Sequence, residues 1–120
     1  VFAWVAAEAG QPENRGAADI MAALARGGDP LAEAAGRTFV RILGTVVGNL
    51  ALIHLPFGGI YLIGGVARAF VPYFETFGFA DALRDKGRFA GFMQNFSVFV
   101  IEDDYAALTG CAVYLKNLMR

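Results

Sequence analysis

Two glycine pairs, Gly58-Gly59 and Gly64-Gly65, bracket the apolar run Ile60-Tyr61-Leu62-Ile63, and a helical pattern begins at Val66. Four apolar residues between glycine turns are too few for a helix and suit a buried strand. The chain then reads as strand, glycine turn, helix N-terminus. Such a turn brings backbone N–H groups and the positive end of a helix close to an anionic or nucleotide ligand, with no Cβ in the way. The alternative is that the glycines only close a tight strand-to-helix connection.

The flanking segments constrain the fold further. Val1 to Ala9 reads as a helix stopped by Gly10, and Ala17 to Arg26 as a second helix ended by Gly27-Gly28. Asp29-Pro30 opens a long third helix, to about Ile53. The Asp29 carboxylate caps unpaired amides, and Pro30 at the first helical position gives up only an N–H that had no partner. Phe39, Ile42, Leu43, Val46, Val47 and Leu50 form the expected buried stripe of this helix. Gly44 and Gly48, four apart, are expected to let a neighbouring element approach closely. A helix from Val66 to about Phe74 should be bent or shortened by Pro72, and shorter helical pieces cover Phe79 to Lys86 and Arg88 to Phe96. Ser97 to Ile101 is a second strand, again apolar on both faces, as in a central parallel sheet. Asp103 or Asp104 caps a last helix, Tyr105 to Leu118, with Leu108, Cys111, Ala112 and Leu115 facing inward. Two strands leave edges and faces uncovered, so further strands are expected from elsewhere.

From Gly36 onward these features resemble one family. Gly36-Arg37-Thr38-Phe39 through Gly48-Asn49-Leu50-Ala51-Leu52, the Gly58 to Gly65 segment, Gly78-Phe79 through Lys86-Gly87-Arg88-Phe89, and Leu108-Thr109-Gly110 together resemble the C-terminal part of the bacterial glucokinases, of the hexokinase and actin-like ATPase superfamily. The resemblance implies an α/β fold: an incomplete ribonuclease-H-like domain over residues 1–120, mainly helical with two parallel strands. It also implies a parent enzyme that uses ATP with Mg²⁺ to phosphorylate glucose. Gly58, Gly59, Gly64 and Gly65 would then lie on the adenosine side of the nucleotide site. Glucose would be held by an N-terminal region outside these residues, together with the catalytic aspartate and the phosphate-binding glycine loop. No catalytic residue and no metal ligand is assigned here, and these residues alone are expected to be inactive. Three positions differ from the usual family pattern: Ile63 replaces a small residue, Arg68-Ala69 replaces Pro-Arg, and Ala106-Ala107 replaces Pro-Gly. The Ile63 side chain either crowds a nucleotide or enters the core.

Composition narrows the classes. At 57% hydrophobic residues, with eleven phenylalanines in 120 positions, the chain carries more apolar surface than so small a body covers well. The first residue is Val1 rather than methionine, and a piece of a longer polypeptide is the expectation. Ten basic residues against eleven acidic ones give a net charge of −1, without the basic cluster that nucleic-acid binding needs. The single Cys111 cannot form an internal disulfide and suits a buried helical position, so a reducing cytoplasm is expected. No charge occurs between Arg41 and Arg68, a distance beyond one bilayer crossing. Pro56, the glycine pairs, Asn49 and His54 interrupt that run, and no membrane span is expected.

Three other features have ordinary readings. Glu102-Asp103-Asp104 could coordinate Mg²⁺ but better suits helix capping. His54 lacks a nearby carboxylate or cysteine and is expected to pack. Lys86-Gly87-Arg88-Phe89 reads as a solvated helix junction with Phe89 in the core. A noncatalytic α/β or helical dimerisation domain is the competing reading of the whole, with the apolar surplus forming a homodimer interface.

Overall fold

A computed structural model describes all residues 1–120. Helices α1 (Phe2–Glu8), α2 (Ala17–Arg26) and α3 (Pro30–His54) are followed by strand β1 (Ile60–Ile63) and helix α4 (Gly65–Phe70). Then come a 3₁₀ turn at Val71–Tyr73, helix α5 (Phe79–Arg84), 3₁₀ turns at Gly87–Phe89 and Phe92–Asn95, strand β2 (Val98–Ile101) and helix α6 (Ala106–Leu118). The strands form one parallel pair, Ile60 opposite Val98 and Ile63 opposite Ile101. Pro72 ends α4 in a 3₁₀ turn, as its ring and missing N–H require. The expected helix from Arg88 to Phe96 is instead two 3₁₀ turns separated by Gly91, which gives a continuous helix little support.

The start of α3 follows the chemistry of Asp29-Pro30. One Asp29 oxygen accepts from the amides of Leu31 and Ala32, both at 3.1 Å, while its other oxygen pairs with Arg15. Arg15 also holds Glu13 at 2.7 Å and lies over the Phe2 ring, so the loop between α1 and α2 is fastened to the head of α3. The guanidinium hydrogen bond, aided at Asp29 by the Ala32 and Leu31 amides, holds both carboxyl groups below the usual carboxylate range.

The buried face of α3 differs from the expected one. Ala32, Ala35, Gly36, Val40, Gly44, Val47, Gly48 and Ala51 are buried, whereas Ile42, Val46 and Leu50 are about half exposed. The cause is the proximity of α5. A Cβ on Gly44 would come within 2.6 Å of the Phe79 carbonyl oxygen, and one on Gly48 would overlap the Leu83 carbonyl. The glycines therefore do let another element approach closely, and that element is a helix. Around this contact Val40, Val47, Phe70, Phe77, Phe79, Leu83, Met93 and Phe96 form the main core, with Val40 and Met93 fully enclosed. Lys86 ties the far end, donating to the Thr45 carbonyl at 3.1 Å and to Asn49 Oδ1 at 2.6 Å.

Helix α3 is long and apolar enough to cross a membrane by length and composition alone; here its small-residue face is covered by α1, α2 and α5. The rest of the chain is open. Only 18 residues are buried, and the accessible surface is 7989 Å², whereas a compact monomer of 12.8 kDa exposes about 6,300 Å². The radius of gyration, 17.1 Å, likewise exceeds the roughly 14 Å of a compact 120-residue domain.

Three packing expectations fail for the same reason. Leu108 and Leu115 of α6 are exposed, as is Cys111, and α6 buries no residue at all. Phe89 lies half exposed under the Arg88 guanidinium instead of in the core. His54 sits exposed in the last turn of α3. Nothing in these 120 residues reaches those surfaces. The strands are also covered on one side only: Ile60, Leu62 and Val98 pack toward the core, while Tyr61 and Phe99 stack on each other, centroids 5.1 Å apart, on the open side.

Candidate functional site

The two glycine pairs lie at opposite ends of β1. Gly58 and Gly59 precede the strand, and Gly64 and Gly65 follow it, so four residues of extended chain, roughly 13 Å, separate them. At the first end Gly59 makes room for a neighbour, since a Cβ there would come within 2.9 Å of the Phe99 ring. At the second end Gly64 has φ +110° and leads into α4, a conformation that a side chain would strain. A Cβ on Gly64 would meet nothing within 4 Å, and one on Gly65 only the Arg68 guanidinium at 3.8 Å.

The Gly64-Gly65 corner stands at the C-terminal edge of the parallel pair, where open α/β sheets place their ligands. The first hydrogen bond of α4 runs from the Arg68 amide to the Gly64 carbonyl at 3.2 Å, so the amides of Gly65, Val66 and Ala67 precede it and have no partner within the helix. Beside the corner lies an open cavity of about 490 Å³. Gly65, Ala69 and Phe70 of the α4 side face Phe39 of α3, Met21 of α2 and Phe2 of α1 across it. Eleven of its thirteen lining residues are hydrophobic, so its chemistry suits a flat apolar ring better than phosphate groups. Sequence reading finds the glycine corner but misses the cavity, because its walls come from helices far apart in the chain.

Ile63 is about half exposed and does not line that cavity. Its side chain does not enter the core. In the loop after β2, Glu102, Asp103 and Asp104 do not converge, and no group of three His, Cys, Asp or Glu side chains in the chain could hold a metal ion. Asp103 instead accepts from the Tyr105 amide at 2.8 Å, closing a turn ahead of α6, and Asp104 pairs with Arg68. The expected cap of α6 by Asp103 or Asp104 is not formed: the residue flanking the helix is Tyr105, and no side chain accepts from the first amides of α6.

The family model described as Glucokinase matches residues 1–118. The chain is 41% identical over 81 residues to a glucokinase of Pectobacterium atrosepticum, covering 68% of this chain and 25% of that protein. It is 42% identical over 89 residues to a glucokinase of Mesorhizobium japonicum, covering 74% and 26%. Among solved structures, a glucokinase from an Antarctic psychrotroph superposes with a TM-score of 0.85 at 25% identity, over 97% of this chain and 36% of the other. The chain thus spans about a quarter of the length of the curated relatives it matches. With the family model covering nearly all of it, and both the strand pair and the surrounding helices superposing on a solved glucokinase, this chain belongs to the glucokinase family.

Proposed function

We propose that residues 1–120 are the C-terminal portion of a glucokinase whose whole polypeptide transfers the γ-phosphoryl group of ATP to a glucose hydroxyl, and that they form part of the wall around the adenosine moiety. The observation that carries this reading is the Gly64-Gly65 corner beside an apolar cavity, in a chain of this family. In the proposal the purine rests in that cavity, Gly64 and Gly65 keep the corner free of side chains, and Gly58 and Gly59 shape the turn that aims β1 at it. The fold is the ribonuclease-H-like fold of the actin-like ATPases, its sheet completed by strands from the rest of the polypeptide.

Phosphoryl transfer depends chiefly on positioning and electrostatic stabilisation. These residues contribute positioning. The remaining polypeptide supplies the carboxylate that takes the hydroxyl proton and the groups that bind glucose, so residues 1–120 alone are inactive. Mg²⁺, when bound, offsets phosphate charge; this chain holds no carboxylate cluster fitted to it, and its ligands would come from the nucleotide and the rest of the enzyme. The proposed location is the cytoplasm, where ATP is available.

The test is steady-state kinetics on the full-length polypeptide with Ala69→Trp, which places an indole in the cavity. The expected outcome is a KM for ATP raised about tenfold or more with the KM for glucose little changed. An unchanged KM for ATP would remove the adenosine assignment, and no glucose phosphorylation by the unsubstituted polypeptide would remove the kinase assignment.

A further inference from the structure

Arg68 is the one side chain that joins the two strand ends at the proposed site. From α4, just after the glycine corner, its Nη1 donates to the Glu102 carbonyl at 3.2 Å, and its Nη2 pairs with the Asp104 carboxylate. Both acceptors lie in the loop between β2 and α6. The guanidinium therefore crosses from the segment that follows β1 to the segment that follows β2, along the edge where a ligand would enter. The Arg68 side chain is only 27% exposed, whereas Asp104 is 69% exposed, so the clamp is partly sheltered on one side and open to water on the other.

An ion pair this exposed contributes little to stability. Its planar fork, however, fixes direction as well as distance, since one guanidinium satisfies a carbonyl and a carboxylate at once. We infer that Arg68 is a positioning residue for nucleotide binding: it fastens the β2–α6 loop to the glycine corner and so fixes the two segments that follow the strands relative to each other at the C-terminal edge of the pair. The inference rests on the glucokinase reading. It assigns Arg68 no contact with the reacting atoms; its effect runs through the loop.

The test uses the full-length polypeptide with Arg68→Gln, Arg68→Lys, Asp104→Asn and the double variant Arg68→Gln/Asp104→Asn, measuring both substrate KM values, kcat, ADP affinity by fluorescence titration, and the thermal midpoint. Arg68→Gln is expected to raise the KM for ATP and weaken ADP binding about five- to twentyfold, with kcat and the KM for glucose within about twofold. Its thermal midpoint should move by less than about 2 °C. Asp104→Asn should shift ADP affinity in the same direction, Arg68→Lys should restore part of it, and the double variant should be no worse than Arg68→Gln alone.

If Arg68→Gln leaves ADP affinity and the KM for ATP within about twofold while the unsubstituted enzyme phosphorylates glucose, the positioning role is overturned and the glucokinase reading stands. The role is equally overturned if Arg68→Gln is severe but Asp104→Asn has no effect, because the arginine would then act without the loop. Loss of kcat and thermal midpoint together, with ADP affinity kept, also overturns it in favour of a purely structural contact. An unsubstituted polypeptide with no glucose phosphorylation removes the glucokinase reading and this inference with it.

Discussion

Helices α3 and α6 present apolar faces of similar ambition and meet opposite fates. The α3 face carries Gly44 and Gly48, and α5 lies so close that backbone carbonyls occupy the space of the missing side chains. The α6 face carries Leu108, Leu115 and Leu118, all more than half exposed. Large side chains therefore do not identify the buried surface in this chain; close approach does. The α3–α5 contact is complete within these residues, whereas α6 and the outer side of the strand pair are left bare by them. The family relationship supplies a reason, because the relatives extend well beyond the matched quarter of their length.

That contrast can be tested from its strongest side first. Gly48→Val in the full-length polypeptide drives a branched side chain into the Leu83 carbonyl and the Lys86 stem, and a stability loss of about 3 kcal/mol or more by urea unfolding is expected. A loss below about 1 kcal/mol would mean that α5 is not held against α3. Leu83→Ala removes a side chain that is 3% exposed and is expected to cost about 2–4 kcal/mol in the same measurement.

Asp29→Ala is expected to lower stability through the lost cap, and it carries a pH signature. The folded-state carboxyl groups of Asp29 and Glu13 are lowered by Arg15. Their contribution is therefore complete above their unfolded pKa values, near 4, and is lost as the pH falls through the lower folded values. Replacing Asp29 should flatten that acid limb, and an unaltered limb below about pH 4 would show that the Arg15 cluster is not formed. The smallest effect belongs to α6. Leu115→Ser in the 120-residue chain should change stability by less than about 0.5 kcal/mol, while in the full-length polypeptide it should cost about 1–3 kcal/mol. Equal effects in both would show that the α6 face stays bare.

Much of this architecture is legible from residue order. Asp29-Pro30 announces the start of α3, the glycine pairs bound β1, and the four-residue spacing of Gly44 and Gly48 signals a close neighbour. The rotation of α3 is not legible from hydrophobicity, because its buried side is built from alanine, glycine and valine while larger residues such as Ile42, Val46 and Leu50 face outward. The inward pattern of α6 shows which side seeks cover and nothing about where that cover comes from. At the candidate site, the corner is a local feature and can be read directly. The cavity and the Arg68 clamp are products of tertiary folding, with Arg68 meeting Glu102 across 34 positions of sequence.

The β1–β2 pair has no third strand on either flank. Peptide groups along each flank therefore remain available to any extended chain of matching pleat, including another copy of the same segment. A preparation of this polypeptide by itself should consequently grow by unlimited addition as concentration rises rather than saturate at a closed oligomer, and sedimentation velocity across a dilution series would reveal which regime holds.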